Sequence, residues 1–568
     1  MKRRVLLILL AFVLIFTVAC GSGSQQTGDS GASGGTGTAG SGSAGTGGSA
    51  AVAPTAENGP LTKYDPPIEM RIVFGTSPVQ FFPDGDTYEY NVWSRYMEET
   101  AGIIFKVLWT ADSASTDAYQ NKMSVSLASG DLPDVYTAPN YQFFKTAVDA
   151  GYAADLTDVW ANFRSDRIIA QTQDFELLLT GSTIDGRLMA IPRFQYFEQR
   201  APFLWIREDW MDAVGKGPPK TMDELVELAR AFANEDPDGN GRKDTFGLLL
   251  QRDLFAFNFG NVNGIMSGFG VPTREADQFF RDTDGVIKYA GILPDAKQAL
   301  QLLQDMYKEG LIDPEFGVKD AAKLEEDINT HKVGMGFGAE WNSWYPYATV
   351  YTADGVQYRP YGIPAADGYS RRIGTNFPVG EFTMVNSAYA HPEAMMKVRN
   401  FYQEHLNEDS TQELREIYSD KEQWRFVPFQ FGAPSEMLSY PLVKAAIDAG
   451  NNRDMVPNGY VGYYDEIISY MEGSPDGNGR RWQLGPNGSV SVIFDDYRPN
   501  DVYTVSPISG ERPDSFINLM SSLDTIILQA YTEIIMGADI SNFDVFVTNW
   551  LSAGGQQVLD DLNAMYPA

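Results

Sequence analysis

The sequence predicts an α/β fold, and three observations carry that reading. Along the first part of the body, apolar residues alternate with period two and then recur at helical spacing, in turn. Amphipathic helices with clear start signals follow towards the C-terminal end. Hydrophobic residues make up 43% of the 568 and aromatic residues 13%, enough to build cores for roughly two to four domains and to exclude wholesale disorder.

The run IEMRIVFG at Glu69 alternates as a strand does, and NVWSRYMEETAG, Asn91 to Gly102, reads as a helix closed by glycine. IIFKVLW, Ile103 to Trp109, is a second strand, DAYQNKMSVSLASG a second helix, and DVYTA, Asp134 to Ala138, a third strand. Strand–helix–strand–helix–strand opens a largely parallel sheet, and such sheets bind ligands beyond the carboxyl ends of their strands. Tyr136, Asn140 and Tyr141 stand at or just past such an end. Farther on, Pro218 and Pro219 precede a capping box of Thr221 and Glu224, after which Leu225, Leu228, Ala229 and Phe232 recur at helical spacing. Two further helices, Asp295 to Gly310 and His391 to Leu406, each begin at a proline; their apolar stripes, Met395 and Met396 included, are core.

The N-terminal sixty residues set the compartment. Lys2, Arg3 and Arg4 precede an apolar run from Val5 to Val18 and then Ala19-Cys20-Gly21, the order of a secretory signal. Fourteen helical residues reach about 21 Å, short of a ~30 Å hydrocarbon core, so the run is not a spanning helix. Val18-Ala19-Cys20 resembles the lipobox of bacterial lipoproteins, which implies cleavage after residue 19 and a diacylglycerol on Cys20. That cleavage removes three positive charges and takes the formal charge from −32 to −35. Residues 20–60, the lipidated Cys20 and then almost entirely Gly, Ser, Thr and Ala with no aromatic and two acidic side chains, would form a flexible tether with a reach of roughly 35 Å.

Charge and composition exclude several classes. Seventy-five acidic against 43 basic residues argue against nucleic acid or an anionic lipid surface as partner, since both are bound through basic patches; the membrane is met only through the lipid. One cysteine excludes a disulfide framework, and three scattered histidines leave little for histidine-based metal or triad chemistry.

One motif carries inorganic chemistry. DPDGNGRKDT places Asp236, Asp238, Asn240 and Asp244 at alternate positions, with Gly241 at the sixth place and the Arg242 carbonyl at the seventh. Hard oxygen ligands favour calcium. An EF-hand would carry a bidentate Glu at the twelfth place, where Gly247 stands here, and TFGLLLQR reads as a strand rather than an exiting helix. The expectation is therefore an EF-hand-like loop, 236–245, whose calcium braces a helix-to-strand junction. SPDGNG, Ser474 to Gly479, echoes it without the first carboxylate and reads as a turn.

An ordered set of segments resembles the extracellular solute-binding proteins of family 1, the lipoprotein components of ABC-type sugar importers. The set comprises SLASGDLPDVYT, DGRLMAIP, FLWIREDW through DPDGNGRKDTFGL, YKEGLIDPEF, HKVGMGFGAEW, HPEAMMKVRNFY and TEIIMGADISNFDVFVTNWLSAGGQQVLDDLNAMY. The resemblance implies a two-lobed periplasmic-binding-protein-like fold with a hinge and an interlobe ligand cleft. Residues 61–192 would begin lobe 1, 193–370 would begin lobe 2 and carry the calcium loop, and 371–568 would return to lobe 1 and cross again into lobe 2. The first crossing would follow Ile191-Pro192, and the return would lie near Arg372 to Val379. It also implies calcium ligands at Asp236, Asp238, Asn240, Arg242 (carbonyl) and Asp244; relatives often have Glu where Thr245 stands here. Partners follow from it too: an oligosaccharide ligand, permease subunits of an ABC transporter, and a monomeric body held at the outer face of a bacterial cytoplasmic membrane.

A sugar needs flat aromatic platforms with polar side chains around them. Trp341 and Trp344 follow the strand VGMGFG in a loop beside Tyr345 and Tyr347, and by resemblance to maltose-type binding proteins a Trp here stacks on sugar. Trp205, Trp210 and Trp550 read as core. Arg193 and Tyr196 after the first crossing, with Asn91 and Glu340, are weaker ligand candidates; Arg371 and Arg372 read as hinge or surface charges that could also meet a uronate. The acidic body favours a neutral or lightly charged oligosaccharide over a polyanion. The chain is expected not to be an enzyme. A peptide carrier or surface sensor of the same fold is the alternative, and a surface glycoside hydrolase, which needs two carboxylates flanking the sugar, a more distant one.

Overall fold

The computed structural model describes residues 58–567 apart from 77–81, 83–84, 113–115, 173–175, 195–196, 274–277, 378, 407–427 and 430–434. The signal segment, Cys20, nearly all of the tether, and Tyr196 lie outside the described residues. Among the described residues no helix is long and apolar enough to cross a membrane.

Strand β1 (Ile68–Thr76) turns Met70, Ile72, Val73 and Phe74 inward. Helix α1 (Val92–Ala101) follows, and β2 (Ile103–Asp112) pairs with β1 in parallel. Helix α2 (Thr116–Ser129), β3 (Val135–Ala138) and α3 (Tyr141–Asp149) complete the alternation the sequence predicts. Asn91 is the buried N-cap of α1. Its side-chain oxygen accepts from the Trp93 and Ser94 amides, and its Nδ2 donates to the Thr87 and Tyr88 carbonyls. Those bonds occupy the Asn91 carboxamide and remove it from the ligand candidates. Tyr136 is likewise withdrawn, fully buried under Phe143.

After the short hairpin β4 (Thr183–Ile184) and β5 (Arg187–Leu188), strand β6 (Ile191–Phe194) ends the first pass through lobe 1. Lobe 2 opens with β7 (Phe203–Arg207) and continues through α4 (Met222–Asn234), β8 (Phe246–Leu248), the hairpin β9 (Phe279–Arg281) and β10 (Ile287–Tyr289), α5 (Pro294–Lys308), β11 (Val333–Gly338) and β12 (Tyr358–Tyr361). Its sheet has the order β12-β7-β11-β8. Strand β13 (Ile373–Thr375) still belongs to this lobe, since Ile373 lies in its core. Strand β14 (Val379–Val385) returns to lobe 1 between β3 and β6, and α6 (Ala394–Leu406) packs beside α1. Helix α7 (Ser435–Asp448) is again in lobe 2, followed by α8 (Asn478–Leu484), β15 (Tyr503–Val505) beside β13, and α9 (Asp514–Ile535).

Two expectations are corrected here. The sheets are mixed instead of largely parallel: β14 runs antiparallel to both β3 and β6, and β7 antiparallel to β11 and β12. Strands that return across the hinge enter from the opposite side, and this sets their direction. Helix α6 starts at Ala394, after His391 and Pro392, so those two residues lead into the helix and are not part of it. The Trp residues assigned to the core are there: Trp205, Trp210 and Trp550 are fully buried, as are Met395 and Met396.

The first described residues are fastened to lobe 1. Glu393 Oε1 accepts from Asn58 Nδ2 at 3.0 Å and from the Tyr64 hydroxyl at 2.9 Å. Lys397 Nζ sits 4.0 Å from the Tyr64 ring centre and donates to the Thr62 carbonyl, and Asn400 donates to the Pro60 carbonyl. Burial draws the Lys397 ammonium down to about 8, with the Glu393 charge opposing.

Candidate functional site

Strand β11 delivers the chain to a short 3₁₀ turn, Glu340–Ser343, that is pinned on every side. The Trp205 indole donates to the Ala339 carbonyl, Asn342 Nδ2 to the Tyr345 carbonyl, and the Ser489 hydroxyl to the Glu340 carbonyl. Beneath, Tyr347 stacks on Tyr358 at 4.3 Å in full burial. This rigid footing presents Trp341, half-buried, beside Phe257 at 6.0 Å, with the Arg200 guanidinium 4.4 Å above the Phe257 ring. The result is an aromatic surface edged by a cation, where the chain has just entered lobe 2.

Glu340 stands under that surface, 6% exposed. Its carboxylate accepts from the Trp341 amide at 2.9 Å. Burial pushes its pKa up to about 8, the neighbouring Glu436 adds to the rise, and the amide and Arg200 oppose it. At neutral pH it is mostly a neutral acid, able to donate as well as accept.

Trp344 and Tyr345 are 40% and 39% exposed. Trp344 is held from behind by α8: its indole donates to Gln483 at 2.9 Å, and the Arg480 guanidinium lies 5.1 Å from its ring. Gly479 is required at this contact, because a Cβ there would lie 2.5 Å from the Trp344 ring. Arg480 is itself fixed by Glu436, Glu466 and the Tyr463 face. SPDGNG thus opens α8 through a short 3₁₀ turn capped by Ser474.

Lobe 1 gathers a second group. Arg193 on β6 pairs with Glu381 on β14 at 3.4 Å, and Tyr141 packs on Phe382 and Phe144. Asn140 is exposed but serves as the N-cap of α3, accepting from the Phe143 amide. The candidates therefore fall into two sets, Glu340 with Trp341 and Trp344 in lobe 2, and Asn140, Tyr141 and Arg193 in lobe 1. Arg371, short of the return crossing, is bidentate to Asp496 at 2.6 and 2.7 Å within lobe 2, and Arg372 covers Phe280. The sequence reading missed Arg200 and Phe257; their shared signal, a cation and an aromatic just inside lobe 2, is too common to single them out.

The 236–245 loop joins α4 to β8. Asn240 Nδ2 donates to Asp238 at 2.6 Å and to Asp244 at 3.2 Å, and the Gly241 amide donates to Asp236. Gly241 turns the chain at φ 75°, and Asn240 Oδ1 accepts from the Arg242 amide. Among the described residues no three acidic, histidine or cysteine side chains stand close enough to hold an ion. An amide group sits between Asp238 and Asp244, where a cation would draw them in. For these oxygens to face a calcium ion, Asn240 would have to turn its Oδ1 inward, a half-turn between near-isosteric ends. Thr245 is not a donor to this loop: it is buried and its hydroxyl donates to the Phe232 carbonyl.

The family model for the bacterial extracellular solute-binding protein matches residues 82–405. The lipoprotein LipO of Bacillus subtilis is 24% identical over 506 residues, covering 83% of this chain and 88% of that protein. The polygalacturonan/rhamnogalacturonan-binding protein YtcQ of the same organism is 25% identical over 43% of this chain and 46% of its own length. Among solved structures, the ABC-transporter substrate-binding protein FusA of Streptococcus pneumoniae in complex with kestose superposes with a TM-score of 0.60 at 16% identity, covering 88% of this chain and 99% of that one. An extracellular solute-binding protein of Bifidobacterium longum subsp. infantis also gives 0.60, at 16% identity, over 90% and 99%.

Proposed function

The chain belongs to the bacterial extracellular solute-binding protein family, and from that premise we propose that it captures an oligosaccharide between its lobes and hands it to the permease of an ABC-type importer. The observation that carries this reading is the surface of Trp341 and Phe257, edged by Arg200 and underlain by the buried Glu340. A pyranose places an apolar face on such rings and its hydroxyls against the polar groups around them. The lobe-1 set, Tyr141 and the Arg193–Glu381 pair, would meet the ligand from the other side on closure. The ligand leaves as it came, without chemistry.

The test is native mass spectrometry of the protein after incubation with a mixed digest of plant and algal oligosaccharides. An intact sugar retained one-to-one supports capture; shortened products point to a hydrolase, and no retained sugar to another solute. For the sugar so identified, Trp341→Ala is expected to weaken binding about tenfold or more by calorimetry. Trp344→Ala should cost less, since that ring stands at the rim.

The same reading includes calcium in the 236–245 loop, with Asp236, Asp238, Asn240, Asp244 and the Arg242 carbonyl as ligands, and a lipid on Cys20 that keeps the body at the outer face of the membrane. Calcium would brace the α4–β8 junction. Its addition is expected to raise the unfolding temperature, corresponding to about 2.7 kcal/mol at a hundredfold excess over Kd. Asp238→Ala should abolish the rise, and a rise that survives the substitution would place the ion elsewhere.

A further inference from the structure

A cavity of about 390 Å³ lies between the edge strand β12 and the segment 481–496, and every residue lining it belongs to lobe 2. That volume is within the ~300–1,000 Å³ range of small-molecule sites. Helix α8 divides it from the aromatic surface: Gly479, Arg480 and Gln483 support Trp344, while Arg481 and Trp482 line the cavity.

The walls are chemically unequal. Arg359 and Arg481 both stack on Trp482, at 4.6 and 4.3 Å from its ring. Arg359 is paired with Glu208, but its Nε is buried without an acceptor. Arg481 has no carboxylate partner among the described residues; one N–H donates to the Pro486 carbonyl. Trp482 is 4% exposed, and its indole N–H is also buried without an acceptor. The lining also carries acceptors: Asp495, whose Oδ2 takes the Ser491 and Tyr440 hydroxyls, Asp496, which is bidentate to Arg371, and the exposed Asn487 at the lip.

We propose that this cavity is a second ligand site, taking a small hydroxy-carboxylate with its carboxylate on Arg481 and a hydroxyl towards Asp495. Unpaired donors and free acceptors in one cavity suit a molecule that carries both an anion and hydroxyls. The overall negative charge is screened beyond ~8–10 Å; within the lining Asp496 is held by Arg371 and Arg359 by Glu208, which leaves Arg481 as the cation without a carboxylate partner among the described residues. The site stands whatever solute the cleft carries.

The probe is D-glucuronate, with D-glucose as the neutral control, followed by saturation-transfer NMR on the whole protein. Transfer to glucuronate and not to glucose is expected, with affinity falling about tenfold or more in Arg481→Gln. Asn487→Asp adds a negative charge at the exposed lip and should weaken glucuronate as well, so the result does not depend on Arg481→Gln folding. Trp341→Ala, on the far side of α8, should leave glucuronate binding intact while impairing the cleft. Equal transfer to both sugars, no transfer to glucuronate, binding that both charge-changing variants retain, or binding lost in Trp341→Ala would each overturn the assignment.

Discussion

Glu340→Gln is expected to stabilise the protein above about pH 8 and to change it little near pH 5. The Glu340 carboxyl titrates at about 8 in the fold against 4.5 ordinarily, chiefly because it is buried. Between these two values the folded chain keeps a proton that the unfolded chain gives up. Stability therefore falls as pH rises through that window, and the loss is complete above the folded value. At full ionisation it amounts to on the order of 5 kcal/mol. Glutamine stays neutral throughout and can still accept from the Trp341 amide, so its stability profile should be flat where the wild type descends. Urea unfolding across the range checks this. Parallel profiles would mean that Glu340 is ionised in the fold, balanced by Arg200. Because Glu340 underlies Trp341, ligand affinity should weaken in the wild type as pH rises through about 8, where the folded chain gives up that proton, and hold steady in the variant.

Arg399→Ala is expected to destabilise the protein by about 3–5 kcal/mol. Arg399 is fully buried in lobe 1, and burial lowers its guanidinium to about 9, with Glu381 opposing and Arg193 assisting. It donates to the Ile191 carbonyl at 3.3 Å, the Thr383 hydroxyl at 2.7 Å and the Phe429 carbonyl at 3.2 Å. Those acceptors lie on β6 before the first crossing, on β14 after the return, and just ahead of the re-entry into lobe 2 at α7. One side chain thus ties together the three segments that join the lobes. Alanine removes one donor from each of two buried carbonyls and a hydroxyl and opens a cavity. Chemical denaturation measures the loss, and Arg399→Lys, which keeps charge but not the fork, should recover part of it. A loss below 1 kcal/mol would mean that water takes over the three acceptors.

Local features were legible in the sequence because local rules decide them. The ends of α1 at Asn91 and Gly102, the Thr221 cap of α4, and the turn between α4 and β8 all follow from residues within one or two turns of each other. Asn91 shows the cost of reading a polar residue apart from its neighbours: three residues on, Ser94 returns the cap to the Asn91 amide. The direction of β14 was not legible, since it depends on a chain that leaves lobe 1 after β6 and comes back nearly two hundred residues later. The site divides in the same way. Trp341 could be placed because it follows a buried strand, whereas Gly479 under Trp344 is meaningful only once α8 has folded onto the loop from over a hundred residues away.

The fastening of Asn58, Pro60, Thr62 and Tyr64 to Glu393, Lys397 and Asn400 has a mechanical consequence. Whatever the chain upstream is attached to, a pull delivered along it is received by lobe 1 alone. The load path ends at α6 and β1 and does not run through the segments that join the lobes. Tension on the upstream chain would therefore load lobe 1 without pulling directly on lobe 2, and the segments between the lobes would not carry it.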